Sequence, residues 1–200
     1  MNDLVLWAIR GVPVVTLVLL AGCASGLEPE PIADEEAKSL YFPLSVGNTW
    51  DFLHRDHERS FTVQDRIFGT AKLNDRQYYL FRRPRAPLYL RPDEAGNVWL
   101  YDDGEESRWL LFDLPDGAIY MYPDSTISSA KVTVARNLVV ETPAGTFTDC
   151  IRLEFDIDGI ADDAYSLTFA PGVGIVERNS IWFSFPRQLT GFEVSGGGGD

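Results

Sequence analysis

Residues 147–157 have the sequence FTDCIRLEFDI, in which apolar and polar side chains alternate. Successive side chains of a β-strand point to opposite faces of the sheet, so this segment has an apolar face, broken only by Asp149, and a polar face. The apolar face carries Phe147, Ile151, Leu153, Phe155 and Ile157, and the polar face carries Thr148, Cys150, Arg152, Glu154 and Asp156. The pattern predicts a sheet with one buried face and one face in solvent.

The same strand character extends over the chain from Tyr41 onward. Aromatic and β-branched runs alternate with Gly, Pro, Asn and Asp, and no long segment has a helical period. Short connections between strands predict antiparallel pairing, so we expect a mainly β protein with a single domain of antiparallel strands. Predicted strands include Thr49–Arg55, Trp109–Leu114 and Ser180–Phe185, and predicted tight turns include Ala95-Gly96-Asn97, Asp103-Gly104, Asp116-Gly117 and Asp158-Gly159.

Three predicted segments are apolar on both faces: Val98–Tyr101, Trp109–Phe112 and Ile181–Phe183. Such strands need cover on both sides, and the chain offers almost no helix to supply it. A closed sandwich or barrel would bury both faces, whereas a curved sheet or half-barrel would leave an apolar concave face for a ligand, a lipid or a partner. The residues predicted to face such a ligand are Trp99, Tyr101, Trp109, Leu111 and Trp182.

The N-terminal segment has the features of an export signal. The apolar run Val12–Ala21 is too short to span a bilayer, and it leads into Leu20-Ala21-Gly22-Cys23. This tetrapeptide resembles the lipobox of bacterial lipoproteins, which implies cleavage before Cys23 and lipidation of its thiol; an uncut signal anchor is the alternative. The predicted parts are a signal peptide (1–22), an acidic proline-containing tether (23–40), an antiparallel β domain (41–195) and a glycine-rich tail (196–200).

The position after Cys23 bears on which membrane holds the protein. Retention in the inner membrane of many diderm bacteria resembles a rule that asks for Asp directly after the cysteine, and here Ala24 and Ser25 follow instead. We therefore expect a lipid-anchored protein of the cell envelope, on the outer membrane facing the periplasm rather than on the inner membrane.

The net charge of the chain restricts the classes of molecule that the protein can bind. The formal net charge is −13, which makes nucleic acid a poor partner and disfavours peripheral binding to anionic lipid head groups. One local basic cluster stands out, Arg82, Arg83 and Arg85 with Arg91 nearby. These arginines either pair with neighbouring acids or receive an anionic head group or a carboxylate.

Catalytic and metal-binding patterns are weak. His54 and His57 are the only histidines, and at a spacing of three on a strand they point to opposite faces, so we expect no metal site and no cofactor. Cys150 has no evident histidine partner; if Cys23 carries lipid, Cys150 is the lone cysteine of the mature chain and is either buried or reactive. We therefore expect a protein that is not an enzyme.

Three motifs resemble a family of bacterial secreted proteins and lipoproteins without an assigned activity. Tyr41–Trp50 resembles a YFPLxxGNxW opening, Thr142–Cys150 resembles TPAGTFxxC, and Phe169–Val176 resembles YAPGVGxV. The resemblance implies an antiparallel fold of the lipoprotein-carrier type, in which a curved sheet forms a half-barrel. We predict that all three motifs are architectural, with Trp50 as a large anchor in the first strand.

Three functions remain open from the sequence. The domain binds an apolar ligand or an envelope protein, or it is a structural or assembly lipoprotein with a closed core, or it is a hydrolase whose site is not recognised. An open apolar concavity distinguishes the first from the second, and a cleft with convergent carboxylates or histidines would favour the third.

Lipidation of Cys23 is directly testable by intact-mass analysis of protein purified from membranes. We expect a mature chain that begins at Cys23 and carries the added mass of two or more acyl chains, because one chain alone gives only marginal membrane binding. A mature chain that retains residues before Cys23, or lacks acyl mass, would contradict the lipoprotein interpretation.

Overall fold

A computed structural model describes residues 39–55, 59–82, 86–123, 129–157, 164–180 and 186–195. These ranges contain strands and turns and no helix, so the prediction of a mainly β, antiparallel domain is confirmed. No helix among the described residues is long and apolar enough to cross a membrane. The strands are β1 (Thr49–Arg55), β2 (Ser60–Leu73), β3 (Arg76–Phe81), β4 (Leu88–Pro92), β5 (Val98–Asp102), β6 (Glu105–Leu110), β7 (Ile119–Pro123), β8 (Ser129–Thr142), β9 (Gly145–Ile157), β10 (Tyr165–Ala170), β11 (Gly174–Ser180) and β12 (Arg187–Glu193).

The strands form one open antiparallel sheet in the order β6-β5-β4-β3-β2-β1-β12-β11-β10-β9-β8-β7. The long strand β2 pairs with β1 through its first half and with β3 through its second half, and the register shifts between Ile67 and Thr70. The two edge strands, β6 and β7, lie close together. The Tyr120 hydroxyl of β7 donates to the Trp109 carbonyl of β6 at 2.8 Å. The inner faces of the two halves of the sheet therefore enclose one core.

The segment Tyr41–Leu44, which we call the plug, enters this core from one end of the sheet. Phe42 and Leu44 are fully buried. The Phe42 ring lies 5.5 Å from that of Phe81 on β3 and 5.7 Å from that of Phe169 on β10. The plug thus joins the two halves of the sheet through aromatic contacts, which add to the gain from burial.

Hydrogen bonds hold the chain around the plug to the turns at the same end, which we call the plugged end. The Ser39 hydroxyl donates to the Gly96 carbonyl in the β4–β5 turn at 2.7 Å, and the Gly172 amide in the β10–β11 turn donates to the Leu40 carbonyl at 2.7 Å. The Asn48 side-chain amide donates to the Pro43 carbonyl at 2.9 Å. Phe42, Leu44, Asn48 and Trp50 of the YFPLxxGNxW segment are therefore packing residues, whereas Val46 is half exposed.

Trp50 connects this opening segment to the third motif. Its indole Nε1 donates to the Val173 carbonyl at 2.6 Å. A Cβ atom on Gly174 would lie 2.9 Å from Trp50 Nε1, closer than real Cβ contacts, and Gly174 has a φ of +101°. Only glycine combines that backbone angle with so close an approach to the ring. The position of the Trp50 ring therefore requires a glycine at position 174, where the β10–β11 turn ends.

Two sequence-based predictions need correction. Cys150, assigned to the wet face of β9, is fully buried, because a bulge with Asp149 at a φ of +55° shifts the register and turns the thiol inward. The strand predicted at Trp109–Leu114 is instead Glu105–Leu110; the chain then leaves the ladder, and the Phe112 amide donates to Asn97 Oδ1. The strand predicted at Ser180–Phe185 lies almost wholly outside the described residues.

Replacing Gly174 with Ala tests the fit between this turn and Trp50. We expect the free energy of unfolding to fall by about 2–4 kcal/mol, because the new methyl group adds overpacking against the indole to the backbone strain. Gly172→Ala is the matched control: its φ is also positive, at +72°, but no atom beyond the adjoining residues would lie within 4 Å of the added methyl group. The free energy of unfolding of Gly172→Ala should fall by only about 1 kcal/mol. Urea denaturation measures both variants, and equal losses in the two would contradict the proposed contact between Gly174 and Trp50.

Candidate functional site

Charged side chains enter the interior at the end of the sheet opposite the plug, which we call the far end. Here β1 finishes at Arg55 and β12 begins at Arg187. Arg178 on β11 and Arg187 on β12 are direct register partners, so their side chains lie on the same face. That face is the inner one, because Leu167, the partner of Arg178 on β10, is a core residue.

Asp65 supplies a carboxylate to this group from β2. It is a register partner of the buried Trp50, and its own side chain is 4% exposed. The Arg178 guanidinium forms an ion pair with the Asp65 carboxylate and lies 4.8 Å from the centroid of the Phe52 ring. An ion pair taken out of water loses hydration, so it is retained only with close partners such as these. The Phe52 ring adds a cation–π contact to the carboxylate.

Arg187 and His54 form the second half of the cluster. Arg187 Nε donates to His54 Nδ1 at 2.8 Å, which requires a neutral imidazole with its proton on Nε2. Burial lowers the pKa of Arg187, and the charge of Asp65 opposes that shift. The guanidinium therefore sits in a partly dehydrated position, where an anion would interact with it more strongly than in water.

The described residues of this cluster carry two guanidinium groups and one carboxylate. Like charges directly opposite each other on neighbouring strands are destabilising. A guanidinium has five N–H donors, so an arginine already engaged in an ion pair can hold a second anion, and its planar fork matches carboxylate and phosphate oxygens. The pair Arg178–Arg187 is thus a candidate anion-binding site.

Apolar side chains remain accessible beside these charges. Phe61, opposite His54 on β2, has its ring 4.7 Å from the His54 ring, yet it is 49% exposed. Val63 and Tyr165, which share the inner face, are half-buried. At the plugged end the corresponding inner positions, such as Trp50, are fully buried. The far end therefore presents cationic and apolar groups together.

A cavity of about 480 Å³ lies near the same end of β8 to β11. Most side chains that line it form an outward-facing cross-strand row, in which Lys131 opposes Asp156 and Glu154 opposes Ser166. Its lining mixes charged residues such as Lys131 and Glu154 with the aromatic residues Phe155 and Tyr165, so it differs from the apolar concavity predicted from the sequence. Within the described ranges no group of three or more His, Cys, Asp or Glu residues could hold a metal ion.

The structure separates the residues predicted to face an apolar ligand. It corrects the expectation for Trp109 and Leu111, which are buried, because the two halves of the sheet cover the inner face of β6 and the chain that follows it. Trp99 and Tyr101 are half-buried and face outward, since their neighbours Val98 and Leu100 occupy the inner face. Trp182 lies outside the described residues.

The structure describes only some of the other predicted site residues. Arg82 is exposed, and its backbone amide donates to the Arg66 carbonyl at 2.8 Å. Arg83, Arg85 and His57 lie outside the described residues, as does Cys23. The prediction of an anion-binding role for the Arg82 cluster therefore stays a prediction.

Sequence reasoning missed the inward charges, although the signal was present. Arg187 stands two residues before the core residue Leu189, and Asp65 stands two residues before Ile67. A period of two places such residues on the same face as their apolar neighbours. A charged residue two positions away from a buried apolar residue in a strand therefore indicates a charge on the inner face of the sheet.

A second group of charges lies on the outer face of β3 to β6, which we call the arginine–aromatic face. It consists of Arg76, Tyr78, Arg91, Trp99, Tyr101 and Arg108, arranged around Glu106. Arg91 Nε donates to Glu106 Oε1 at 2.7 Å, the Tyr78 hydroxyl donates to the same oxygen at 3.1 Å, and Arg76 pairs with Oε2. Burial alone would raise the pKa of Glu106, but these partners outweigh it and the pKa is lowered.

Trp99 stands between two arginines on this face. Arg91 on β4 and Arg108 on β6 are its register partners, and each guanidinium carbon lies 5.3 Å from the centroid of the Trp99 ring. The indole Nε1 donates to Asp93 Oδ2 at 3.2 Å. These contacts fix an outward-facing aromatic ring between two cations.

Comparison with known proteins finds no matching protein family and no matching curated protein. Among solved structures, a "putative lipoprotein" from Parabacteroides distasonis ATCC 8503 is 14% identical with a TM-score of 0.45; the match covers 78% of this chain and 99% of that one. A "putative exported protein" with a YmcC-like fold from Bacteroides fragilis NCTC 9343 is 13% identical with a TM-score of 0.42, with the same coverage of both chains. Both are named for export or for a lipid anchor.

The Glu106 network predicts a pH dependence of stability. Because the pKa of Glu106 is lower in the folded than in the unfolded protein, its contribution is present above the unfolded pKa and is lost as the pH falls. Glu106→Gln should lower the free energy of unfolding by about 1–3 kcal/mol at pH 7, and the difference from wild type should shrink toward pH 3.

The control for this experiment is Glu154→Gln, which removes an exposed carboxylate on β9. It should change the free energy of unfolding by less than about 0.5 kcal/mol at any pH. A Glu106→Gln difference that stays constant from pH 7 to pH 3 would show that the carboxylate charge has no part in the effect.

Proposed function

We propose that this chain is a lipid-anchored, non-catalytic protein of the bacterial envelope whose β domain binds an anionic amphiphile at the far end of the sheet. The lipobox-like segment that ends at Cys23 supports the anchor. Burial raises the pKa of the Cys150 thiol to about 11, which keeps it protonated and supports a role without nucleophilic catalysis.

The observation that carries the binding proposal is the Arg178–Arg187 pair on the inner face. Arg178 and Arg187 oppose each other across β11 and β12, and Arg187 is partly withdrawn from water. A carboxylate or phosphate could accept from the N–H groups of both guanidinium forks, because charge-assisted hydrogen bonds to guanidinium are among the strongest in proteins. These features support a role for the pair in receiving an anionic head group.

The apolar half of the ligand is inferred from the residues beside that pair. Phe61 is half exposed although it faces inward, and Val63 lies two residues along the same face. Covering such surface gains roughly 25 cal/mol per Å². A single acyl chain attached to a carboxylate or phosphate matches this combination, and the anchor at Cys23 would keep the domain near a source of such molecules.

The alternative function is a structural or assembly lipoprotein with a closed core. The plug favours it, because Phe42 fills the interior at the plugged end with the protein's own side chains. The two functions differ in one respect: only the first requires saturable binding of an amphiphile at the far end.

Binding is tested with two single-chain lipids that share an acyl chain, anionic oleate and neutral monoolein. The protein is the mature chain with Cys23→Ser, so that no attached acyl chain competes for the site. We expect saturable oleate binding, measured by displacement of an environment-sensitive dye, and at least tenfold weaker binding of monoolein. Arg187→Gln should weaken oleate binding about tenfold or more, which corresponds to roughly 1.4 kcal/mol or more.

Arg82→Gln is the matched control, because it removes one exposed arginine from the cluster singled out in the sequence. It should leave oleate binding within about twofold of wild type. Equal losses in Arg82→Gln and Arg187→Gln would point away from the Arg178–Arg187 pair. If oleate does not bind saturably to the folded wild-type protein, the closed structural alternative is supported instead.

A further inference from the structure

We infer that His54 makes anion binding at the Arg178–Arg187 pair depend on pH, so that the site holds its ligand more tightly when the imidazole is protonated. The inference rests on the proposed function and names the residue that regulates the same site. Three observations carry it: the place of His54 on the inner face, its hydrogen bond with Arg187 and the charged groups around it.

The position of His54 follows from the period of two in β1. Phe52 is a core residue, and His54 stands two residues further along the strand, so both side chains lie on the inner face. The imidazole is half-buried, and its ring lies 4.7 Å from that of Phe61, its register partner on β2. On the other side it contacts Arg187 of β12. Contacts with both neighbouring strands thus hold the ring next to the guanidinium.

The hydrogen bond with Arg187 distinguishes the two protonation states of the imidazole. Neutral His54 accepts the Nε–H of Arg187 at Nδ1, with 2.8 Å between the two nitrogens. An imidazolium carries a proton on both ring nitrogens and cannot accept. Protonation therefore replaces an acceptor by a second cation, and it leaves the Arg187 Nε–H to a different acceptor. An oxygen of a bound carboxylate, sulfonate or phosphate would supply that acceptor together with a compensating negative charge.

The charged groups around His54 lie on several strands. Among the residues that the structure describes, the titratable side chains that face the interior from the neighbouring strands are Asp65 on β2, Tyr165 on β10, Arg178 on β11 and Arg187 on β12. Arg55, which follows His54 on β1, is exposed. Asp65 forms its ion pair with Arg178, whereas the imidazole contacts Arg187. A protonated His54 would therefore stand beside a cation, and an anion at Arg187 would balance the two charges.

Linkage between proton and anion gives the sign of the effect. The hydrogen bond between His54 and Arg187 forms without a ligand, whereas the attraction between an imidazolium and a bound anion exists only in the complex. An anion at Arg187 therefore favours proton uptake by His54, and by reciprocity a proton on His54 favours the anion. Both side chains are half-buried, so salt screens this attraction less than it screens exposed charges. The site should take up its ligand as the pH falls and release it as the pH rises.

The test measures the affinity for 1-decanesulfonate, whose head group stays charged from about pH 5.5 to about pH 7.5. The protein is the mature chain with Cys23→Ser, and binding is followed by displacement of an environment-sensitive dye. We expect the affinity to rise about threefold to tenfold from the higher to the lower pH, because histidine ordinarily titrates between them. Binding of 1-decanol, which has the same chain and no charge, should change by less than about twofold.

The variant His54→Gln separates the charge of the imidazole from its hydrogen bond. A glutamine carbonyl oxygen can accept from Arg187 as the neutral imidazole does, but it does not titrate. This variant should bind decanesulfonate within about twofold of wild type at about pH 7.5, and its affinity should stay constant as the pH falls. His57→Gln is the matched control, because His57 is the other histidine of the chain, and it should keep the wild-type pH dependence. Both variants should show the wild-type circular dichroism spectrum.

Calorimetry in buffers of different ionisation enthalpy gives a second measurement. Near about pH 6.5 the binding of decanesulfonate should take up a fraction of a proton, and His54→Gln should abolish that uptake. A pH dependence that persists in His54→Gln, or a wild-type affinity that stays constant or falls toward low pH, would overturn the inference and leave anion binding intact. Absence of saturable binding to the folded protein at every pH would overturn the inference together with the proposed function.

Discussion

The indole of Trp50 is the contact on which the rest of the domain depends. It sits in the first strand, donates a hydrogen bond to Val173 and packs against Gly174, more than a hundred residues away. The Phe42 ring of the plug lies 5.6 Å from it, and the Phe81 ring lies 6.1 Å from it on the other half of the sheet. A bulky rigid side chain thus sets the spacing between strands that would otherwise slide past one another.

Filling one end of a curved sheet makes its two ends chemically different. At the plugged end aromatic rings such as Phe42 and Trp50 occupy the interior, and the buried Asp65 beside Trp50 is paired with Arg178. Toward the far end Arg178 and Arg187 face inward, and Arg187 is only partly buried, so water or a ligand can reach part of the cluster. A charge in a dry interior is costly, so the buried Asp65 is retained with Arg178 as a close partner.

Much of this architecture follows from the period of two in the sequence, and the exceptions have physical causes. Ile151, Leu153 and Phe155 lie on the inner face as their alternation predicts. The bulge at Asp149 breaks that alternation and buries Cys150, because a residue with a positive φ shifts the phase by one. Arg178 and Arg187 could not be assigned to a site by pattern alone, since their proximity depends on the pairing of two strands.

The long-range hydrogen bonds of the first strand have a consequence for how the chain is made. A polypeptide is synthesised from its N-terminus, so the plug and β1 emerge first. Yet Asn48 accepts from Ser195, 147 residues later, and β1 pairs with β12. The aromatic side chains of the plug and β1 therefore stay uncovered until β12 and Ser195 are available to pair with this segment. We expect the chain to remain loose and protease-sensitive until β12 is available, because non-local strand pairing is slow to form.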